Sequence, residues 1–214
     1  MNLLLDTLPE SVYLADPDPP YLEREYPIST DFRTGIAFTE LMENDDLSED
    51  EKAEQALMLY YGGIPANIEA AYEALIYFYL CGKDADNMTT GGGDAHRAPV
   101  FSYAQDAPYL FAAFEQQYGI DLTTVDLHWW RFRALFDGLS DKTELVKIIG
   151  YRAWKPYKGC PTEEAAQMRK LQKRYALVDE GEQKRANQLA EILMGDGDPS
   201  WRSEERRVGK ECRS

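Results

Sequence analysis

A mainly α-helical, multi-helix single domain with a short N-terminal β-hairpin is the fold class this sequence predicts, on three observations. Apolar residues recur at i, i+3, i+4 and i+7 through most of residues 31–195. Glycines and capping residues punctuate those runs at helix-length intervals. Only the front of the chain departs from the pattern, with short β-prone runs on either side of a proline-rich turn.

The hairpin is read from Val12-Tyr13-Leu14, the turn Asp16–Pro20 and a return over Tyr21–Ile28, with Pro27 restricted to an edge or terminal position. Ser29-Thr30-Asp31 offers N-cap residues for a helix carrying Phe32, Ile36 and Leu41. After the acidic connector at 44–51, Ser48 and Glu51 form a capping box. The helix it opens has Ala53, Ala56, Leu57, Tyr60 and Tyr61 on one stripe and stops at Gly62-Gly63. The next follows Pro65 with Ile68, Ala71, Tyr72, Leu75, Ile76 and Tyr79. Periodicity then lapses from Gly82 to Pro99, and composition predicts a flexible loop over 83–99.

Asp106 as cap, with Pro108 in the first turn, predicts a helix with Leu110, Phe111, Phe114 and Tyr118 that ends at Gly119. Leu127, Trp129, Trp130, Phe132, Leu135 and Phe136 occupy more than one stripe, so their helix should be enclosed by others until Gly138 ends it. Asp141 and Glu144 start another, with Leu145, Ile148, Ile149 and Arg152 on one face. Thr162 caps a helix whose acidic start (Glu163, Glu164) and basic end (Arg169, Lys170, Lys173, Arg174) complement its dipole. A last helix carries Ala186, Leu189, Ala190 and Leu193. The organisation expected is a hairpin segment at 1–30, a helical domain at 31–195, a loose end at 196–201 and a separate segment at 202–214.

Charge narrows the function classes. The chain has 214 residues, 38 acidic and 23 basic side chains, and a net charge of -15. Residues 1–100 alone account for -15, whereas Lys142–Arg174 holds nine basic and three acidic residues. Such an acidic surplus argues against a free-standing nucleic-acid or anionic-membrane binder, which needs clustered Lys and Arg. It fits a soluble protein, or one with a basic partner. The longest apolar run, Ala74–Cys81, is too short for a membrane span, and the N-terminus lacks the basic start of a signal peptide, so a cytoplasm is the compartment expected. Residues 202–214 resemble the in-frame translation of a widely used sequencing-adapter oligonucleotide, which predicts that they are not native. Without them the net charge is -17.

No constellation of residues calls for catalysis or a cofactor. Of Cys81, Cys160 and Cys212, the last lies in the adapter-like segment, and the others form no CxxC and have no His at ligand spacing. The Thr89–Arg97 loop lacks the Gly-Lys-Ser/Thr of a phosphate-binding loop. His128 is the best-placed titratable group, yet no nucleophile or second base accompanies it, and a helix-start histidine packed on aromatics accounts for it. The aromatic run Trp129, Trp130, Phe132 and Phe136 reads as core.

Several stretches carry a family resemblance. Phe101–Leu122 is followed by Leu127-His-Trp-Trp-Arg-Phe-Arg-Ala-Leu135. With Tyr26–Arg33, Leu139–Thr143 and Ile148-Ile-Gly-Tyr-Arg152, the chain resembles the bacteriophage "gene product fifteen" family over roughly residues 1–195. The resemblance implies a small, mostly helical, non-enzymatic protein from the tail-morphogenesis region, with no catalytic, cofactor or metal residues to carry over. Such genes commonly precede the tape-measure gene, a position where tail assembly chaperones are found. The partner implied is therefore the tape-measure protein or another tail protein, met in the cytoplasm of the bacterial host, and an oligomer is compatible with it. Exposed parts of Tyr60, Tyr61, Tyr72, Tyr79 or Trp129 are the candidate partner contacts, against the plainer reading that they are core. Two alternatives are a minor tail or connector component retained in the virion, and an acidic decoy of a host DNA-binding protein.

Overall fold

A computed structural model describes residues 7–18, 22–83 and 99–178. The chain divides into two units, Met1–Tyr175 and Ala176–Ser214, and the first holds every helix and strand of the described residues. The predicted helix at 186–193, the predicted loop over 83–99 apart from its two end residues, the loose end at 196–201 and the adapter-like segment lie outside the described residues.

Among the described residues the fold is mainly α with an N-terminal hairpin. Strands β1 (Ser11–Ala15) and β2 (Glu23–Pro27) pair antiparallel, with Ser11 opposite Pro27 and Ala15 opposite Glu23. Pro27 thus takes the terminal position that a residue without an N–H can tolerate. Seven helices come after it: α1 (Phe32–Glu43), α2 (Glu49–Tyr61), α3 (Ile68–Tyr79), α4 (Tyr103–Tyr118), α5 (Trp129–Asp137), α6 (Glu144–Ala153) and α7 (Thr162–Arg174).

The starts of α1 and α2 obey the caps, and four other helices start elsewhere than expected. Asp31 accepts from Arg33 N–H at α1, and Ser48 and Glu51 complete the capping box at α2. At α4 the cap is Ser102, not Asp106, so the helix begins a turn earlier and Pro108 falls inside it. Asp106 is instead buried. The cap position of α6 is Thr143 rather than Asp141, because the Thr143 hydroxyl donates to Ser140 O and closes the preceding turn. At α7 Pro161 precedes a helix in which Thr162 is already the first residue. Helix α5 starts after Leu127, which is buried just ahead of it.

Two apolar stripes also differ in detail. The fully buried residues of α1 are Phe32, Gly35 and Phe38, whereas Ile36 and Leu41 pack at the margin. On α3, Ala71, Leu75 and Phe78 are buried, whereas Ile68, the first residue of the helix, is exposed. Cys81, which closes the apolar run Ala74–Cys81, is half-buried with φ +56°.

One aromatic column organises the core. Trp129 stacks on Tyr79 at 5.2 Å and on Phe132 at 5.7 Å, and Phe132 stacks in turn on Phe32 (4.9 Å) and Phe114 (5.2 Å). Helices α1, α3, α4 and α5 all contribute to it or border it, which is why α5 is apolar on more than one stripe. Stacked and edge-on rings of this kind add about 0.5–1.5 kcal/mol per pair beyond the area they bury.

Candidate interaction surface

The residues expected as partner contacts divide by burial. Trp129 and Tyr60 are sealed in the core, and no partner reaches them in this fold. Burial pushes the Tyr60 hydroxyl well above its ordinary pKa. Tyr61 is half-buried, its hydroxyl donating to Ala71 O at 2.9 Å and its pKa pushed up by burial to about 12. Tyr79 is half-buried, with its hydroxyl 2.8 Å from Thr39 Oγ1 and its ring on Trp129. Tyr72 is half-buried on α3.

The Leu-His-Trp-Trp stretch is a structural knot. His128 sits at the N-cap of α5, where Nδ1 accepts from Trp130 N–H at 3.0 Å and Nε2 lies 3.1 Å from Pro9 O. Those partners require the proton on Nε2. Burial, the largest influence, lowers the His128 pKa from 6.5. The two indoles then satisfy the end of α3: Trp129 Nε1 donates to Tyr79 O at 2.8 Å and Trp130 Nε1 to Phe78 O at 2.7 Å. Helix C-termini leave carbonyls without intrahelical donors, and these two find theirs on α5. The same terminus is closed by Gly82 N–H to Tyr77 O and Cys81 N–H to Phe78 O, a Schellman arrangement that puts Cys81 in the left-handed region.

A second lock joins α4 and α6. Arg152 donates to both oxygens of Asp106, at 2.6 and 2.9 Å, and also to Val100 O and Tyr175 O. The carboxylate also takes the Ser102 N–H at 3.1 Å. The signal was present in the sequence: an arginine on the same stripe as Leu145 and Ile148 needs a buried partner.

Near His128 a cleft of about 510 Å³ opens between Thr7, Glu10, Asp31, Asp126 and Arg131. Two of its polar groups are already engaged: the His128 ring nitrogens meet Trp130 and Pro9, and Asp31 caps α1 while pairing with Arg33 at 3.0 Å.

The exposed surface of the front half has a different character. Four large aliphatic side chains lie open: Leu22 (58%) in the hairpin, Met58 (50%), Ile64 (48%) and Ile68 (56%). Met58 is one turn from the end of α2, Ile64 is in the connector and Ile68 opens α3. Asn67 Nδ2 donates to Ala15 O at 3.0 Å, which ties the hairpin to the start of α3, and Asp16 N–H donates to Leu22 O at 2.9 Å within the hairpin. The acidic cluster of the front half lies at the other end of α2. Residues 40–54 hold eight carboxylates, all on exposed residues, and one cation, Lys52, which is buried 3.1 Å from Glu49. Periodicity assigns Ile68 to the core, whereas this first residue of α3 is exposed.

A family model described as Bacteriophage Gp15 protein matches residues 15–177. The chain belongs to this family. No curated protein and no solved structure matches it. As a Gp15-family chain it is a bacteriophage protein, of the structural or morphogenesis class. The stretches that carry the resemblance now have physical roles: Asp106 and Arg152 form the buried ion pair, and His128, Trp129 and Trp130 join α5 to α3. Among the described residues of this Gp15-family chain, no helix is long and apolar enough to cross a membrane, and no group of three or more His, Cys, Asp or Glu is placed to hold a metal.

Proposed function

We propose that this Gp15-family chain is a non-enzymatic tail-morphogenesis protein, a tail assembly chaperone that binds the tape-measure protein in the host cytoplasm. The observation that carries this reading is the set of exposed aliphatic side chains Leu22, Met58, Ile64 and Ile68 on a front half with a strong acidic surplus. A holdase needs apolar contacts its client can use and enough like charge to keep the complex dispersed. Family membership supplies the phage context.

Co-expression with the tape-measure protein of the same phage is the test. The soluble yield of that protein should rise, and the two should co-purify at low salt. No association under those conditions defeats the chaperone reading. Mass spectrometry of purified virions separates it from a structural role, because a chaperone is absent from the particle whereas a tail or connector component is present at fixed stoichiometry.

A further inference from the structure

We infer that the outward face of α7 docks antiparallel on the outward face of α2 in a second copy of this chain, with Arg174, Lys170 and Ala166 set against Asp50, Glu54 and Met58. The contact goes beyond the proposed function, and neither it nor its test depends on that reading.

Helix α7 supplies an unpartnered face. It buries no residue completely. Ala165, Met168, Leu171 and Gln172 mark its half-buried side, where Gln172 donates to Trp154 O at the end of α6 at 2.8 Å. Helical spacing turns Ala166, Lys170 and Arg174 to the other side as one i, i+4 row, and all three are exposed. Arg169 and Lys173 run beside that row and are exposed as well. Among the described residues none of these four cations forms an ion pair. The macrodipole acts within the last turn, which holds Lys173 and Arg174, and gives no reason for Lys170.

Helix α2 carries the matching face. Its buried side is Lys52, Ala56, Leu57 and Tyr60. Asp50, Glu54 and Met58 form an i, i+4 row turned away from that side, and all three are exposed. The first turn accounts for Asp50 but not for Glu54.

Charge order fixes both the occupant and its direction. Each helix has 13 residues. The α2 row reads negative, negative, apolar, and the α7 row taken backwards reads positive, positive, apolar. Antiparallel packing therefore brings Asp50 to Arg174, Glu54 to Lys170 and Met58 to Ala166, all in one register. Parallel packing would keep only the Glu54–Lys170 match and set Met58 against Arg174. The net charge of -15 on each copy opposes association at long range, but it is screened beyond about 8 Å at physiological salt, whereas the two rows meet at contact. Since the two faces are different surfaces, each new copy leaves one of them free, and the contact repeats into a ring or an open chain.

Sedimentation equilibrium of the full chain at physiological salt is the test. The parent should assemble beyond a dimer as its concentration rises. Asp50→Lys with Glu54→Lys, and separately Lys170→Glu with Arg174→Glu, should each weaken assembly about tenfold or more. Mixing these two variants should restore it, because the reversed α2 of one meets the reversed α7 of the other. The chain carrying all four changes should also assemble. Glu115→Lys, an exposed change on α4, should leave assembly unaltered. Circular dichroism confirms that each variant is folded, and Glu54→Lys and Lys170→Glu alone replace any double variant that is not.

A parent that stays monomeric up to about 1 mM, where even a weak contact would show, overturns the proposal. Stronger assembly of the α2 variant, which carries less net negative charge, also overturns it, since net repulsion would then govern. The same holds if neither the mixture nor the fourfold variant recovers assembly, or if Glu115→Lys causes an equal loss.

Discussion

At Gly35 an added Cβ would lie 2.2 Å from Trp129 Cε3 and 2.4 Å from Cδ2, deep inside contact distance. The indole has nowhere to go, because its Nε1 is bonded to Tyr79 O and its ring is stacked between Tyr79 and Phe132. Gly35→Ala should therefore destabilise the fold by about 3 kcal/mol, at the upper end of overpacking costs. A thermal melt checks this, with a fall of about 6–12 °C expected for a chain of this size. His128 gives a second residue-level expectation. Its folded pKa lies below the 6.5 it has when exposed, so the unfolded chain binds the proton more readily. Its contribution is complete above pH 6.5 and is lost as pH falls below that value, levelling off beneath the folded pKa. His128→Asn keeps an N-cap acceptor and removes the titration. Denaturant midpoints measured from pH 7.5 downward should fall for the parent before the carboxylates titrate, and stay flatter for the variant.

Between elements, the Asp106–Arg152 pair carries more than its sequence positions suggest. One guanidinium holds the first turn of α4, the carbonyl of Val100 ahead of it, the far end of α6 and Tyr175 at the end of α7. Arg152→Ala leaves a carboxylate buried and unpaired, a change that costs about 3–5 kcal/mol. Arg152→Lys should recover only part of this, since a single ammonium cannot reproduce the two parallel bonds. Urea unfolding of both variants would check the order, and equal stability of Arg152→Ala and the parent would refute it. Helix existence was legible in the sequence because periodicity and caps agree, as at Ser48–Glu51. Helix starts were less so. Ser102 and Asp106 are both good cap residues by type, and only the distant Arg152 decides which one goes inward.

For the molecule as a whole, the inventory of the core and the sign of the surface were legible from residue types and their spacing. The aromatic run at 129–136 is core because helical spacing brings those rings to one column, and Tyr60 obeys the same rule. The candidate surface was only half legible. Its acidity is a matter of counting, but its apolar part depends on Ile68 being left uncovered at the start of α3 and on the hairpin folding back to Asn67. Neither comes from a local pattern, since both are set by how elements far apart in the chain pack together.

The bridge between Asp31 and His128 has a consequence for the order of folding. Phe32 N–H bonds to Leu127 O and Trp129 N–H to Thr30 O, while His128 reaches Pro9 across 119 positions. The first helix therefore cannot complete its own beginning until the middle of the chain has been synthesised. Loop closure of that length slows the search, and the N-terminal third waits with its apolar stripes uncovered. Nascent chains halted before residue 127 should be open to proteolysis, and those extending past α5 protected.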